Sequence, residues 1–277
     1  MIRERHLPAG WYPQTADEVR DQCAAWSDEG PLPEREHLAV VVPHAGWLFS
    51  GSLAYRTMRG LRRDVDIVVV VGGHLHPEDS VMIAPEDAVA TPFGSLPIDD
   101  ELREFIRSHV DWAPDHAVDN TVEIQLPLLA EIFGSIPVVY LRCPPSGTAD
   151  TLGRVVAEYA RMNSRAIAVV GSTDLTHYGM SYGFSPHGAG DAAVRWVKEV
   201  NDARFIEALL KGDPETIVRR AVAERSACSA GAAAAAAAFA RASGPVEADV
   251  IGYYPSFDVM PNTSFVGYVG VGYRPKT

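Results

Sequence analysis

The 277-residue chain carries 36 acidic against 24 basic side chains, a formal charge of -12, with 47% hydrophobic residues. That balance opposes binding to phosphate backbones or anionic lipid, so neither nucleic acid nor a membrane surface is an expected partner. No apolar run approaches a membrane span, and Met1–Gly10 lacks the basic start, apolar stretch and small-residue cleavage site of a secretory signal, so the expected location is cytoplasmic.

In chain order, Leu38–Val42 is an apolar, β-branched run bounded by charge before it and Pro43 after it, the pattern of a strand buried on both faces. Ile67–Val71, Ile136–Leu141 and Ala166–Val170 repeat it. Helical patterns are interspersed at Gly51–Leu61, Asp99–Ser108, Val122–Phe133 and Thr148–Met162. Val81–Ala84 and Ala88–Thr91 read as short strands outside the alternation, which points to a mixed sheet. Helices follow at about Asp191–Leu210, Pro214–Val222 and Ser229–Arg241, then two glycine-punctuated strands, Asp249–Tyr254 and Ser264–Tyr273. The alanine run in "SAGAAAAAAAFARAS" reads as a buried helix, because alanine is the best helix former and permits close packing. No linker or repeat divides the chain. The expected fold is α/β, a single domain over residues 1–277 with a mixed, mostly parallel central sheet flanked by helices.

Three strand exits share one design, an apolar run followed by glycine or proline and then histidine: "VVVPHAGW", "VVVVGGHLHP" and "AVVGSTDLTHYG". Ligands of open α/β sheets bind beyond the carboxyl ends of the strands, so His44, His74 or His76, and Asp174 with His177 can converge there. Gly46, Gly72, Gly73 and Gly179 allow close backbone approach at the same place. One loop histidine signifies little, but three at rigid strand ends suit a metal, for which imidazole is the commonest ligand near neutral pH. Within "HLH" the two rings alternate across an extended chain, and sequence barely distinguishes them.

Cys23, Cys143 and Cys228 are widely separated and odd in number, so they are packed thiols, ligands or nucleophiles rather than a disulfide framework. Cys228, in "ERSACSAG", lies at the expected start of the alanine-rich helix, where the helix dipole favours thiolate. In "DNTVEIQLPLL", Glu123 falls at a helix start with Asp119 and Thr121 as N-cap candidates. There is no P-loop, GxGxxG after a strand, GxSxG or HExxH, which removes support from nucleotide-binding and standard hydrolase readings.

Taken in order, these segments resemble the Memo family, protein B of the AmmeMemoRadiSam system, across nearly the whole chain. "LPAGWYPQTADEVRDQ" looks like the family's G-x-[FW]-Y-P segment with its following helix, and "PHAGWLFSGSLA" like its P-H-A-G-[YW]-x-[YF]-S-G motif. "GGHLHP" takes the place of G-P-[NS]-H, "DNTVEIQLPLL" of E-H-S-[IV]-E-x-Q-L-P, "GSTDLTHYG" of S-S-D-[FL]-x-H-[YW], and "SACSAG" of C-G-x-x-P-I. Asn120 stands where the family has histidine, and His74 and Leu75 where it has proline and a small polar residue.

The resemblance implies a fold related to class III extradiol dioxygenase catalytic subunits, with His44 and Cys228 as metal ligands. Aligning Gly73 with the family glycine makes His76 the third. By the same motifs Asp174 and His177 complete the pocket; both are expected to be catalytic, His177 as general base and Asp174 orienting it or a metal-bound water, with His74, Asn120 and Glu123 as expected substrate contacts. A "DLTH" segment that turns helically would bring Asp174 and His177 to one edge of the site.

The function expected is a mononuclear non-haem iron oxidoreductase using dioxygen on a small phenolic substrate, with Fe(II) as cofactor and copper or zinc as alternatives. The competing expectation is a metal-binding (iron or copper) or peptide-binding protein without turnover. A homo-oligomer is compatible with either.

Overall fold

The computed structural model describes residues 1–276. Its elements are β1 (Ile2–Arg3), α1 (Ala16–Ser27), β2 (Ala39–Val42), α2 (Trp47–Met58), β3 (Ile67–Gly72), β4 (Val81–Ile83), β5 (Ala88–Thr91), β6 (Gly94–Pro97), α3 (Asp100–Arg107) and β7 (Trp112–Pro114). They continue with α4 (Asn120–Glu123), α5 (Leu126–Phe133), β8 (Val138–Arg142), α6 (Thr148–Met162), β9 (Ile167–Ser172), β10 (His177–Tyr178), α7 (Asp191–Trp196), α8 (Asp202–Lys211), α9 (Pro214–Glu224), α10 (Ala230–Ser243), β11 (Val246–Pro255), α11 (Ser256–Val259) and β12 (Phe265–Pro275).

Nine strands form one mixed sheet in the order β10-β12-β2-β9-β3-β8-β4-β7, with β11 also on β12. β2, β9, β3 and β8 are parallel, whereas β12 joins β2 and β4 joins β8 antiparallel. The parallel part is thus the centre, where helices cover both faces. Antiparallel strands close the margins, so the sheet is less parallel overall than its central runs suggest.

Alternation along these strands divides the core. Val41, Val69, Val139, Leu141, Ile167 and Val169 face a layer containing α6 and α10. Val40, Val42, Val68, Val70, Val138 and Val170 face one containing Trp26, Trp47 and Tyr55 of α1 and α2. Burial on both faces is why the runs are continuously apolar.

The alanine run is α10, entirely buried from Ala230 to Ala240. Its small side chains let α6 and the sheet close on it: a Cβ added at Gly153 would lie 2.5 Å from the Ala235 carbonyl oxygen. Where one continuous helix was expected over Val122–Phe133, a break separates α4 from α5, and Pro127 sits in the first turn of α5. Asp191–Leu210 is helical throughout, interrupted by a π-helical turn at Val197–Asn201.

Candidate metal centre

β9 lies between β2 and β3, so the carboxyl ends of three adjacent parallel strands open on one place. β2 delivers His44, β3 delivers His74, and β9 runs into Asp174 and His177. Cys228 arrives from the loop ahead of α10.

The ligand atoms of His44, His74 and Cys228 all lie within 4.8 Å of one another. His44 Nε2 is 3.2 Å from Cys228 Sγ. A tetrahedral ion with ordinary metal–sulfur and metal–nitrogen bonds separates its S and N donors by roughly 3.5 Å. Spacing and chemistry therefore fit a borderline or soft metal held by two imidazoles and a thiolate.

Each donor is fixed from behind. The His44 N–H donates to Asp174 Oδ1 at 2.7 Å, and His44 Nδ1 faces Ser172 Oγ at 3.2 Å. With Nδ1–H donating to Ser172, which also accepts from Gln125 Nε2, Nε2 is the ring nitrogen turned toward Cys228 Sγ. His74 Nδ1 meets Asp119 Oδ2 at 3.0 Å. The Cys228 N–H donates to the Asp174 carbonyl at 3.2 Å, tying the thiolate loop to the β9 exit.

Charges in this pocket are strongly coupled. Burial pushes the Cys228 thiol up, but the charge of His44 and hydrogen bonds from His44 and His74 outweigh it and hold the thiol well below its ordinary value. Burial pulls His74 down, yet its hydrogen bonds to Asp119 and Cys228 raise it to about 10. Burial likewise opposes charge on His44, where Asp174 and Cys228 win and raise it. Burial raises Asp174 against the lowering effect of His44. These directions favour deprotonated sulfur at Cys228, the form that a cation requires.

Three site expectations change. His74, not His76, joins His44 and Cys228, because the chain takes a left-handed turn at His74 (φ 57°) instead of staying extended. His76 is exposed, and its N–H donates to Asp79. Glu123 does not line the crevice: it accepts from the N–H groups of His6 and Leu7 and from the Tyr12 hydroxyl, clamping the N-terminal segment. "DLTH" does not turn helically, since β10 begins at His177, and Asp174 and His177 share the crevice wall without a hydrogen bond between them. Cys228 directly precedes Ser229, the N-cap of α10, and so stands just ahead of the helix start.

Beside the donors opens a cavity of about 460 Å³, lined by Asn120, Asp174 and His177 together with Trp11, Phe49, Tyr182, Val266 and Tyr268. The Asn120 amide donates to the His44 carbonyl. His177 Nδ1 lies 3.2 Å from the Leu175 carbonyl. A carbonyl only accepts, so Nδ1 carries the proton, and in the neutral ring Nε2 is the free acceptor. The cavity aromatics, Ser172 and the contact of Asp119 with His74 escaped the sequence reading. Only the last left a trace, as an N-cap candidate.

The model of the family described as Memo-like protein matches residues 3–272. The chain belongs to the Memo family. Among similar proteins, a MEMO1 family protein of Pyrococcus furiosus is 29% identical over 99% of both chains. One of Thermococcus kodakarensis is 30% identical over 99% of this chain and all of its own, and one of Pyrococcus abyssi is 31% identical over the same shares. The crystal structure of an uncharacterized Escherichia coli K12 protein superposes at TM-score 0.47 and 14% identity, over 84% of this chain and 99% of that one. Among the described residues, no helix of this Memo protein is long and apolar enough to cross a membrane.

Proposed function

We propose that this Memo protein is a cytoplasmic, mononuclear metal-dependent oxidoreductase of the dioxygenase type, using His44, His74 and Cys228 to hold Fe(II) and acting with dioxygen on a small phenolic substrate. The observation that carries the reading is the convergence of those three donors beside an aromatic-walled cavity. Bound there, iron would supply a redox-active centre reachable from the cavity. Phe49, Tyr182 and Tyr268 offer flat apolar walls to an aromatic ring. His177, through the free Nε2 that its bond to Leu175 leaves, accepts the proton of a substrate hydroxyl. Asp174 holds His44 through the backbone, and its carboxylate Oδ2, 3.8 Å from His44 Nε2, offsets positive charge at the centre.

The test is metal analysis of protein purified without air, followed by oxygen uptake with a panel of catechols and phenols. About one iron per chain and substrate-dependent oxygen consumption are expected. An iron-loaded protein that consumes no oxygen with any panel member would sink the oxidoreductase reading. One observation favours a second reading: a thiolate within 3.2 Å of an imidazole is a soft donor set that suits copper, and tight copper binding without turnover would mark a metal-holding protein.

A further inference from the structure

Asp119 uses its two carboxylate oxygens for two different tasks. Oδ1 accepts from the Thr121 N–H at 2.9 Å and from the Thr121 hydroxyl, capping α4. Oδ2 faces His74 Nδ1 at 3.0 Å. Behind them stands Arg142, buried at the end of β8. Its Nε and Nη2 bind Asp115 in a fork at 2.8 Å each, while Nη1 lies 3.7 Å from Asp119 Oδ2 and 3.4 Å from the Gly73 carbonyl, to which it donates.

The backbone entering His74 is equally constrained. Thr121 Oγ1 accepts from the Gly73 N–H at 3.1 Å. A Cβ at Gly73 would sit 2.3 Å from the Ser229 Cβ, so the β3 exit is pressed against the residue that follows Cys228.

We propose that Asp119 is the positioning residue of the metal centre: by accepting the Nδ1–H of His74, it fixes the ring and leaves Nε2 as the donor aimed at Cys228. The inference rests on the reading of His44, His74 and Cys228 as a metal site. A carboxylate accepts but cannot donate, so it selects a single tautomer. Arg142 keeps the carboxylate from turning away, linking His74 to a buried ion pair instead of to water.

The competing account is that Asp119 merely caps α4, and two substitutions separate the accounts because asparagine and serine are both good N-caps. In Asp119→Asn the amide NH₂ faces His74 and favours a ring that accepts at Nδ1 and carries its proton on Nε2, the wrong tautomer for ligation. In Asp119→Ser the cap remains and nothing reaches His74. The measurement is a titration with Co(II), followed by its thiolate absorption, beside thermal unfolding of the same proteins. Expected is a loss of Co(II) affinity by roughly 10- to 100-fold in Asp119→Asn and a smaller loss in Asp119→Ser, with little change in Tm. Wild-type affinity in both variants overturns the proposal and leaves the capping role alone.

Nitrogen NMR of the His74 ring, recorded without metal and at a pH high enough for the ring to be neutral, keeps the two layers of inference apart. If wild-type protein takes up no Co(II), the metal reading fails, and the spectrum still decides what Asp119 does. Nδ1 protonated in the wild type and unprotonated in Asp119→Asn supports the assignment, and Nδ1 protonated in both overturns it.

Discussion

Cys143, after β8, and Cys228, before α10, both lie near the first turn of the same helix, where Gly231 packs onto the Cys143 carbonyl. Cys143 is fully buried in the α6–α10 layer, and burial alone pushes its thiol up, as befits a small apolar filler. Cys228 faces two imidazoles, whose charge and hydrogen bonds hold its thiol well below the ordinary value. One region is stabilised by many undirected contacts among alanines and valines. The other is specified by a few directed ones, and its polar groups are held by hydrogen bonds to backbone and to each other. Packing and chemistry are therefore separable: damage to one should leave the other measurable.

The sharpest test removes a ligand. His44→Ala and Cys228→Ala should each lose most bound metal, measured by elemental analysis, while the thermal transition stays cooperative and close to wild type. Full metal occupancy in either variant would remove that residue from the ligand set. His177→Ala should keep its metal and lose turnover by roughly 10²- to 10⁴-fold on an identified substrate, as for a missing general base. Metal loss in that variant would move His177 from proton transfer to ligation.

On the packing side, Gly153→Leu must force α6 away from α10, since even a Cβ there meets the Ala235 backbone at 2.5 Å. It should cost about 1–3 kcal/mol of stability in denaturant unfolding, with metal stoichiometry unchanged. Lost metal binding without lost stability would show that the two regions are coupled.

A further expected effect is a slope with pH. Asp202, buried beneath β12, accepts from Thr176 and Tyr253, yet burial outweighs those bonds and raises its pKa to about 7. Its folded value exceeds its unfolded one, so the charged form opposes folding: the penalty is absent below about pH 4, grows as pH rises, and is complete above about pH 7. Asp202→Asn should remove a decline of at most ~1.4 kcal/mol per pH unit across that window. Parallel stability curves for variant and wild type would refute the assignment.

Much of this arrangement was legible in the chain itself. Continuous Val/Ile runs ending in proline or glycine and then histidine can be little else than buried parallel strands with donors at their exits, and β2, β3 and β9 bear that out. The choice between His74 and His76 was not legible, because it depends on one backbone torsion, and the left-handed turn at His74 reverses the side that an extended chain would present. Glu123 was misread for a related reason: a carboxylate at a helix start looks the same whether it meets a substrate or the N–H groups of a distant N-terminal segment.

By itself, then, the sequence determined what is local or periodic: which runs are buried strands, that the alanine segment is a packed helix, and that imidazoles and one thiol stand where a sheet presents ligands. Only the tertiary structure decided which of them meet. Convergence requires β9 to insert between β2 and β3, α10 to approach within reach of Gly73, and Asp119 to reach His74 across 45 residues of chain. Those are long-range contacts, selected by the packing of the whole core, and no local preference of the residues involved encodes them.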